Sequence, residues 1–266
     1  MEQHLYDYCS VIYCFKKYPM KNILAFIFLN FSFTFLPHAY GQWTIDAETG
    51  LAFPAYNDVR IFNESGTLFD FNEEFEVQGP VIPVRVRIGY TFNEKNHISV
   101  LWAPLQIDYE GNSSRPIQFQ DSQFAEGDFI KGTYRFNSYR LTYRRDIVRN
   151  NRWVLGIGLT AKIRDASVLL DNETGLSDRN DNVGPVPLLH LYTEYGMGDS
   201  KIYFEGDGLA SSQGRAFDLF LGTTLPLTEK LDLKAGYRML EGGADSDEVY
   251  NFTLVHYGVI GLVVQL

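Results

Sequence analysis

The sequence predicts an all-β chain: an antiparallel, up-and-down transmembrane β-barrel of ten strands behind an export leader. Three observations predict it. Apolar and polar residues alternate with a period of two along most of the chain after residue 42, the pattern of half-buried strands rather than helices. The connections between these strands alternate long and short. A brief apolar run near the N-terminus ends in a small-x-small tripeptide, as a cleavable signal does.

The leader comes first. Ile23 to Leu36 is apolar apart from Asn30, Ser32 and Thr34, too short for a spanning helix, which needs roughly 20 apolar residues. Lys16, Lys17 and Lys21 precede it and Pro37 ends it. Ala39-Tyr40-Gly41 then predicts cleavage before Gln42, with Met20 as the true start. Residues 1–41 thus form an upstream extension plus signal peptide, and 42–266 the barrel. Removing 1–41 takes away three lysines, Glu2 and Asp7, so the net charge moves from −10 to −11. Cys9 and Cys14 go too, so neither disulfides nor thiolate-bound metals are expected in the exported product.

The clearest strands show their two faces. In 43–53, Trp43, Ile45, Ala47, Leu51 and Phe53 oppose Thr44, Asp46, Glu48 and Gly50. In 84–92, Val84, Val86, Ile88, Tyr90 and Phe92 oppose Arg85, Arg87, Gly89 and Thr91. Strands 153–164 and 231–238 read the same way. Weaker versions occupy about 97–109, 133–145, 186–196, 201–210, 215–226 and 249–266. The run 97–109 changes phase near Pro104, which predicts a bulge or strand end there, and 133–145 loses phase before Ser138.

Long connections are expected at 54–80, 110–131, 165–185 and 241–248, and short ones at 93–96, 146–151, 196–200 and 227–229. Residues 211–214 form a short connection where a long one is due. Short turns on one side and longer loops on the other are the rhythm of a bacterial barrel with both termini periplasmic. Aromatic belts are predicted at Trp43, Tyr90, Phe92, Tyr143, Trp153 and Tyr195 on the turn side, and at Phe53, Tyr109 and Tyr134 toward the loops.

The leader from Met20 to Gly41, the alternating strands and the last strand, with Tyr250, Phe252, Leu254, Ile260, Leu262, Val264 and Leu266, carry a resemblance. Over essentially its whole length, 42–266 resembles the small outer-membrane β-barrel proteins of Gram-negative bacteria. The resemblance implies a location in the bacterial outer membrane, with its lipid and lipopolysaccharide as partners. Final strands in that group often end on an aromatic residue; Leu266 departs from this. The ten-strand count resembles the omptin-type proteases, and a shared strand count does not fix function. A secreted lipocalin-like barrel would keep the strands and invert the faces; 225 residues is long for that class.

If the apolar faces meet lipid, the lumen receives Asp46, Glu48, Arg85, Arg87, Asp108, Arg140, Arg144, Lys162, Arg164, His190, Glu194, Glu205, Asp207, Asp218, Asp232, Lys234 and Arg238. Such charges pair with one another because they cannot face hydrocarbon. Glu48 and Arg87 are predicted to lie at one level as an ion pair. A narrow solute pathway is the competing reading, but ten strands enclose little space beyond what side chains fill.

Catalysis has one candidate. His190, with Glu205 and Asp207 on the next strand, is expected inward near the loop end, where a carboxylate-flanked histidine can activate water. Leu188 and Tyr192 on the same face predict a packed ring with no cleft beside it. No Gly-x-Ser-x-Gly, His-Glu-x-x-His or phosphate-binding glycine loop occurs, and no cofactor is expected. Asp178-x-Asn180-x-Asn182-x-Gly184 resembles a fragment of a calcium loop, with its glycine one place late and Leu189 where the bidentate Glu belongs. Region 54–80 carries six acids and one base, 165–185 five and one, and 241–248 four and none. This excludes nucleic acid as a natural partner and suits divalent cations bridging to lipopolysaccharide. Phe69, Phe71 and Phe75 among those acids predict a packed lid. The function read from the sequence is a non-enzymatic structural or surface-interaction role; a channel and an outer-leaflet hydrolase using His190 are the alternatives.

Overall fold

The computed structural model describes residues 41–246 and 248–266. The expected leader lies outside them, apart from Gly41. The chain rises in β1 (Gln42–Ile61), whose loop carries β2 (Phe69–Asp70), the single-turn α1 (Phe71–Glu74) and β3 (Glu76–Val77). It descends in β4 (Arg85–Phe92) and rises again in β5 (Asn96–Ala103) and β6 (Gln106–Asn112). A small hairpin follows, β7 (Ile117–Phe119) with β8 (Ser122–Phe124). Long strands then alternate: β9 (Phe129–Arg149), β10 (Trp153–Asn172), β11 (Ser177–Met197), β12 (Ser200–Ser211), β13 (Gly214–Thr228), β14 (Leu231–Asp245) and β15 (Val249–Gln265).

Counting β5 and β6 as one rising strand gives ten antiparallel staves. Pairing of β1 with β15, from Thr44↔Gln265 to Ile61↔Val249, closes the barrel. Closure matters physically: a sheet edge in hydrocarbon would leave backbone groups unpaired. The turn between β4 and β5 places Asn93 and Glu94 at positive φ, matching the twist of a tight hairpin.

The outward face exposes Trp43, Leu51, Phe53, Ile88, Val100, Trp102, Leu141, Ile157, Leu159, Leu221 and Ile260, an apolar band of the kind lipid covers. Above this band the polarity of the wall reverses. Ile107, Tyr109, Tyr134, Phe136, Val168 and Leu170 turn inward and are buried, while Asp108 is exposed and accepts from Thr133 at 2.9 Å.

That reversal corrects three expectations. Asp108 does not face the lumen, and Tyr109 and Tyr134 are core residues rather than a belt, each 1% exposed. The strand end expected at Pro104 is present, with β5 stopping at Ala103 and β6 starting at Gln106, but no phase shift goes with it: Ala103↔Ser138 and Gln106↔Arg135 keep one continuous register with β9. The alternation is unbroken; what changes is the surroundings, from lipid outside to water outside. Beyond the apolar band the wall follows the ordinary rule of a soluble protein.

The inward apolar residues receive the lid. Phe69, Phe71 and Phe75 are buried, and Phe71 stacks on Tyr109 at 4.7 Å. Asp70 caps α1, accepting from the Asn72 amide. Gly132 lies beneath, where an added Cβ would come within 2.3 Å of the Phe71 ring. Ile117, Phe119 and Phe124 of the β7–β8 hairpin complete the cluster.

Two expected long loops are absent as loops. Residues 165–185 continue β10 and β11 as a tall hairpin, paired without a break from Trp153↔Tyr195 to Asp171↔Ser177. The calcium-loop fragment therefore lies in a strand, with Asp178 and Asn180 bonded to Gln120. In 241–248, β14 runs on to Asp245 and β15 starts at Val249. Among the described residues, no helix is long and apolar enough to cross a membrane.

Candidate functional site

At mid-height the lumen holds a cluster of buried charge drawn from six staves. Arg85 on β4 places Nε 2.6 Å from Glu48 on β1 and Nη2 2.9 Å from Asp218 on β13. Arg140 on β9 joins Asp218 at 2.6 Å and Asp207 on β12 at 2.8 Å. Arg238 on β14 spans Glu48, at 2.8 Å, and Asp218. Lys234 spans Asp46 and Glu48, both at 2.7 Å, with Nζ 4.7 Å from the centre of the Phe220 ring. Arg87 pairs with Glu205.

Several of these contacts link staves that are not neighbours, such as β4 with β13, and so cross the lumen. The five carboxylates Asp46, Glu48, Glu205, Asp207 and Asp218 face the five cations Arg85, Arg87, Arg140, Lys234 and Arg238. The layer is thus self-neutral, as a buried ionic cluster must nearly be. Little space remains within it. The gap beside Arg85, Arg140 and Tyr257 is about 10 Å³, and the one among Asp46, Glu48, Arg87 and Lys234 is about 0 Å³. A water needs roughly 10–15 Å³.

The structure brings together nine of the twelve network residues expected from the sequence: Asp46, Glu48, Arg85, Arg87, Arg140, Asp218, Lys234 and Arg238 in the ion pairs, with Lys162 buried directly beside Arg140. Arg144, Arg164 and Glu194 lie apart. Arg144 sits toward the turn end, its guanidinium 3.9 Å from the centre of the Tyr192 ring and 3.2 Å from Asp146. Glu194 accepts from Tyr192 and meets Lys201 at 3.2 Å. Arg164 stands above the cluster with Asn182. The expected Glu48–Arg87 pair is not formed. Register sets Glu48 opposite Arg85 and Asp46 opposite Arg87, and Arg87 reaches across to Glu205.

His190 is buried, as are Leu188 and Tyr192 on the same face. Its Nδ1 lies 2.8 Å from Asp207 Oδ1, and its Nε2 4.0 Å from Glu205 Oε1. Two expectations are corrected. β11 extends to Ser177, so His190 stands nearer the turn end than the outer rim. A cavity of about 170 Å³ does adjoin the ring, lined also by Thr44, Tyr90, Thr91, His97 and Lys201, and these place it on the turn side of the charge layer. Thr160 also donates to Asp207, at 2.7 Å, and bonds Thr142. The sequence singled out neither threonine; only their inward parity on β9 and β10 marks them.

Above the layer the lid fills one side of the lumen and a vestibule of about 590 Å³ occupies the other. Lys162 and Arg164 lie at its base, and Val168, Leu209 and Ser211 are among its walls. Among the described residues, no group of three or more His, Cys, Asp or Glu is arranged to hold a metal ion.

No family model matches the chain, and no curated protein is similar to it in sequence. Solved structures do resemble it. The outer membrane protease OmpT from Escherichia coli superposes with a TM-score of 0.54 at 7% identity, covering 85% of this chain and 97% of the protease. Ail, the attachment invasion locus protein of Yersinia pestis, gives 0.39 at 12%, covering 84% and 99%. Neisserial surface protein A gives 0.35 at 14%, covering 84% and 96%. At these identities the likeness concerns the fold, and the first carries it.

Proposed function

We propose that this chain, which has the fold of the bacterial outer-membrane β-barrel proteins, serves as a plugged, non-conducting scaffold that offers its loop end to ligands at the cell surface. The observation carrying this reading is the self-neutral charge layer. The gap beside Arg85 and Arg140 and the one among Asp46, Glu48, Arg87 and Lys234 each hold at most about one water, too little for a hydrated ion. Charges buried this way brace the staves against one another, a structural role that needs no substrate. The role is non-enzymatic. His190 adjoins only the turn-side cavity, Asp207 is already held by Arg140 and Thr160, and a surface substrate would have to pass the plug.

Export places the chain in the outer membrane after removal of a leader before Gln42. The acidic segments 54–80, 165–185 and 241–248 then face outward, where divalent cations can bridge their carboxylates to lipopolysaccharide phosphates. Planar-bilayer recording tests the central claim. The purified barrel is expected to give no stable conductance step. A reproducible open level in the parent protein would sink the scaffold reading and favour the channel.

A further inference from the structure

The vestibule has a charge excess that the plug does not cancel. Lys162 is 3% exposed, yet among the described residues it has no hydrogen bond and no carboxylate within 4.0 Å; its Nζ lies 4.5 Å from the centre of the Phe136 ring. Directly across in register stands Arg140, another cation, whose guanidinium is committed to Asp207 and Asp218. Arg164, one inward position further up β10, donates to Asn182, and its Nε is buried without a partner. Like charges directly opposed across a ladder repel, and a buried ammonium without an anion is costly. Two cations at the base of a cavity of about 590 Å³ therefore form a site short of one anion.

The walls say what else that anion carries. Ala166, Val168, Val186 and Leu209 line the vestibule, so the space above the cations is largely apolar. It also opens sideways. β12 pairs with β11 only from Leu189 toward the turn end, because the β12–β13 hairpin turns back after Ser211 while β10 and β11 continue to Asn172 and Ser177. Cavity-lining residues stand on both sides of this notch, Pro185 and Pro187 on one and Leu209 and Ser211 on the other. Exposed Ile163, Val183 and Leu189 put it at the upper margin of the apolar band.

We propose that the vestibule binds an amphipathic carboxylate, with the headgroup between Lys162 and Arg164 and the apolar chain leaving through the notch beside β11. A cavity of this size suits a small ligand, and a guanidinium beside an ammonium suits a carboxylate. The inference rests on the reading of the barrel as plugged, since the plug is the floor that stops the headgroup.

Native mass spectrometry of the full barrel in non-ionic detergent, titrated with dodecanoate, tests it. One dodecanoate per barrel is expected. Lys162→Gln with Arg164→Gln should weaken binding by about tenfold or more. Leu209→Trp, which fills the cavity and leaves both charges, should weaken it comparably and guards against a fold defect from the charge changes. Acetate and dodecanol should each bind far more weakly than dodecanoate. Retained affinity in both variants, or several equivalent dodecanoates per barrel, would overturn the proposal. So would preference for dodecyl phosphate, which would point to a lipid phosphate instead. Conductance recorded on the same preparations separates the two readings: a silent barrel that ignores dodecanoate loses only the ligand assignment, and a conducting one loses the floor.

Discussion

Asp218 is the place to strike the plug. Its carboxylate meets three guanidiniums, those of Arg85 at 2.9 Å, Arg140 at 2.6 Å and Arg238, and its side chain is 2% exposed. Asp218→Asn keeps the shape, removes the charge and leaves four carboxylates facing five cations. Each arginine retains one other acid, Glu48 or Asp207, so no guanidinium is left wholly unpaired. Removing one member of a buried ionic cluster costs ~3–5 kcal/mol, and we expect that loss here. Asp46→Asn is the internal control. Its side chain is 15% exposed and the one cation within 4.0 Å, Lys234, keeps Glu48 at 2.7 Å, so the expected loss is smaller than at Asp218. The assay is urea unfolding of barrels refolded into vesicles, followed by tryptophan fluorescence and gel mobility. Asp218→Asn with Arg238→Gln restores neutrality, and the double variant should recover ~1–3 kcal/mol against the sum of the singles. A loss below ~1 kcal/mol for Asp218→Asn, or strict additivity in the cycle, would refute the plug as a coupled ionic unit.

Three further outcomes are expected. Phe71→Ala, at a buried ring stacked on Tyr109, should cost the lid ~3–5 kcal/mol and make 62–84 sensitive to protease while the barrel keeps its folded gel mobility. Gly50 has φ +149° and an added Cβ would sit 1.9 Å from the Gly258 carbonyl oxygen. Gly50→Ala should therefore loosen the β1–β15 seam by ~1–3 kcal/mol, read as a lower temperature for the heat-induced gel shift. Intact-mass measurement of exported protein should give a chain starting at Gln42, and unheated samples should migrate differently from boiled ones.

The barrel was legible because lipid and lumen impose opposite demands on alternate residues, so Val84, Val86 and Ile88 against Arg85 and Arg87 identify both faces at once. The upper third was not legible. There, water replaces lipid outside, and Asp108, Arg135 and Asp165 turn outward on strands whose geometry has not changed. A rule tuned to the membrane reads that inversion as a phase error. The Asn- and Asp-rich stretch 165–185 reads as loop by composition, yet β10 and β11 pair through it, an override of local propensity by neighbouring strands. For the plug, parity along each strand put nearly every charge on the correct face. Partners were out of reach because strand stagger sets Glu48 against Arg85, and because pairs such as Arg85–Asp218 join staves 133 residues apart.

The notch in the wall leaves the upper part of β11 without a partner strand on one side, where Gln120 donates to the Arg179 carbonyl and the rest is a template on which another strand could build. The sequence disarms it. Pro185 and Pro187 lie opposite Ile163 and Ala161 in a ladder with β10 that shows no irregularity. A proline fits such a ladder only where its missing N–H is not asked for, so the donors that are absent are those that would have pointed to the open side. At these two positions an intruding strand would find carbonyls without the N–H groups it needs. The barrel can therefore keep a gap in its wall without inviting a second barrel to fill it.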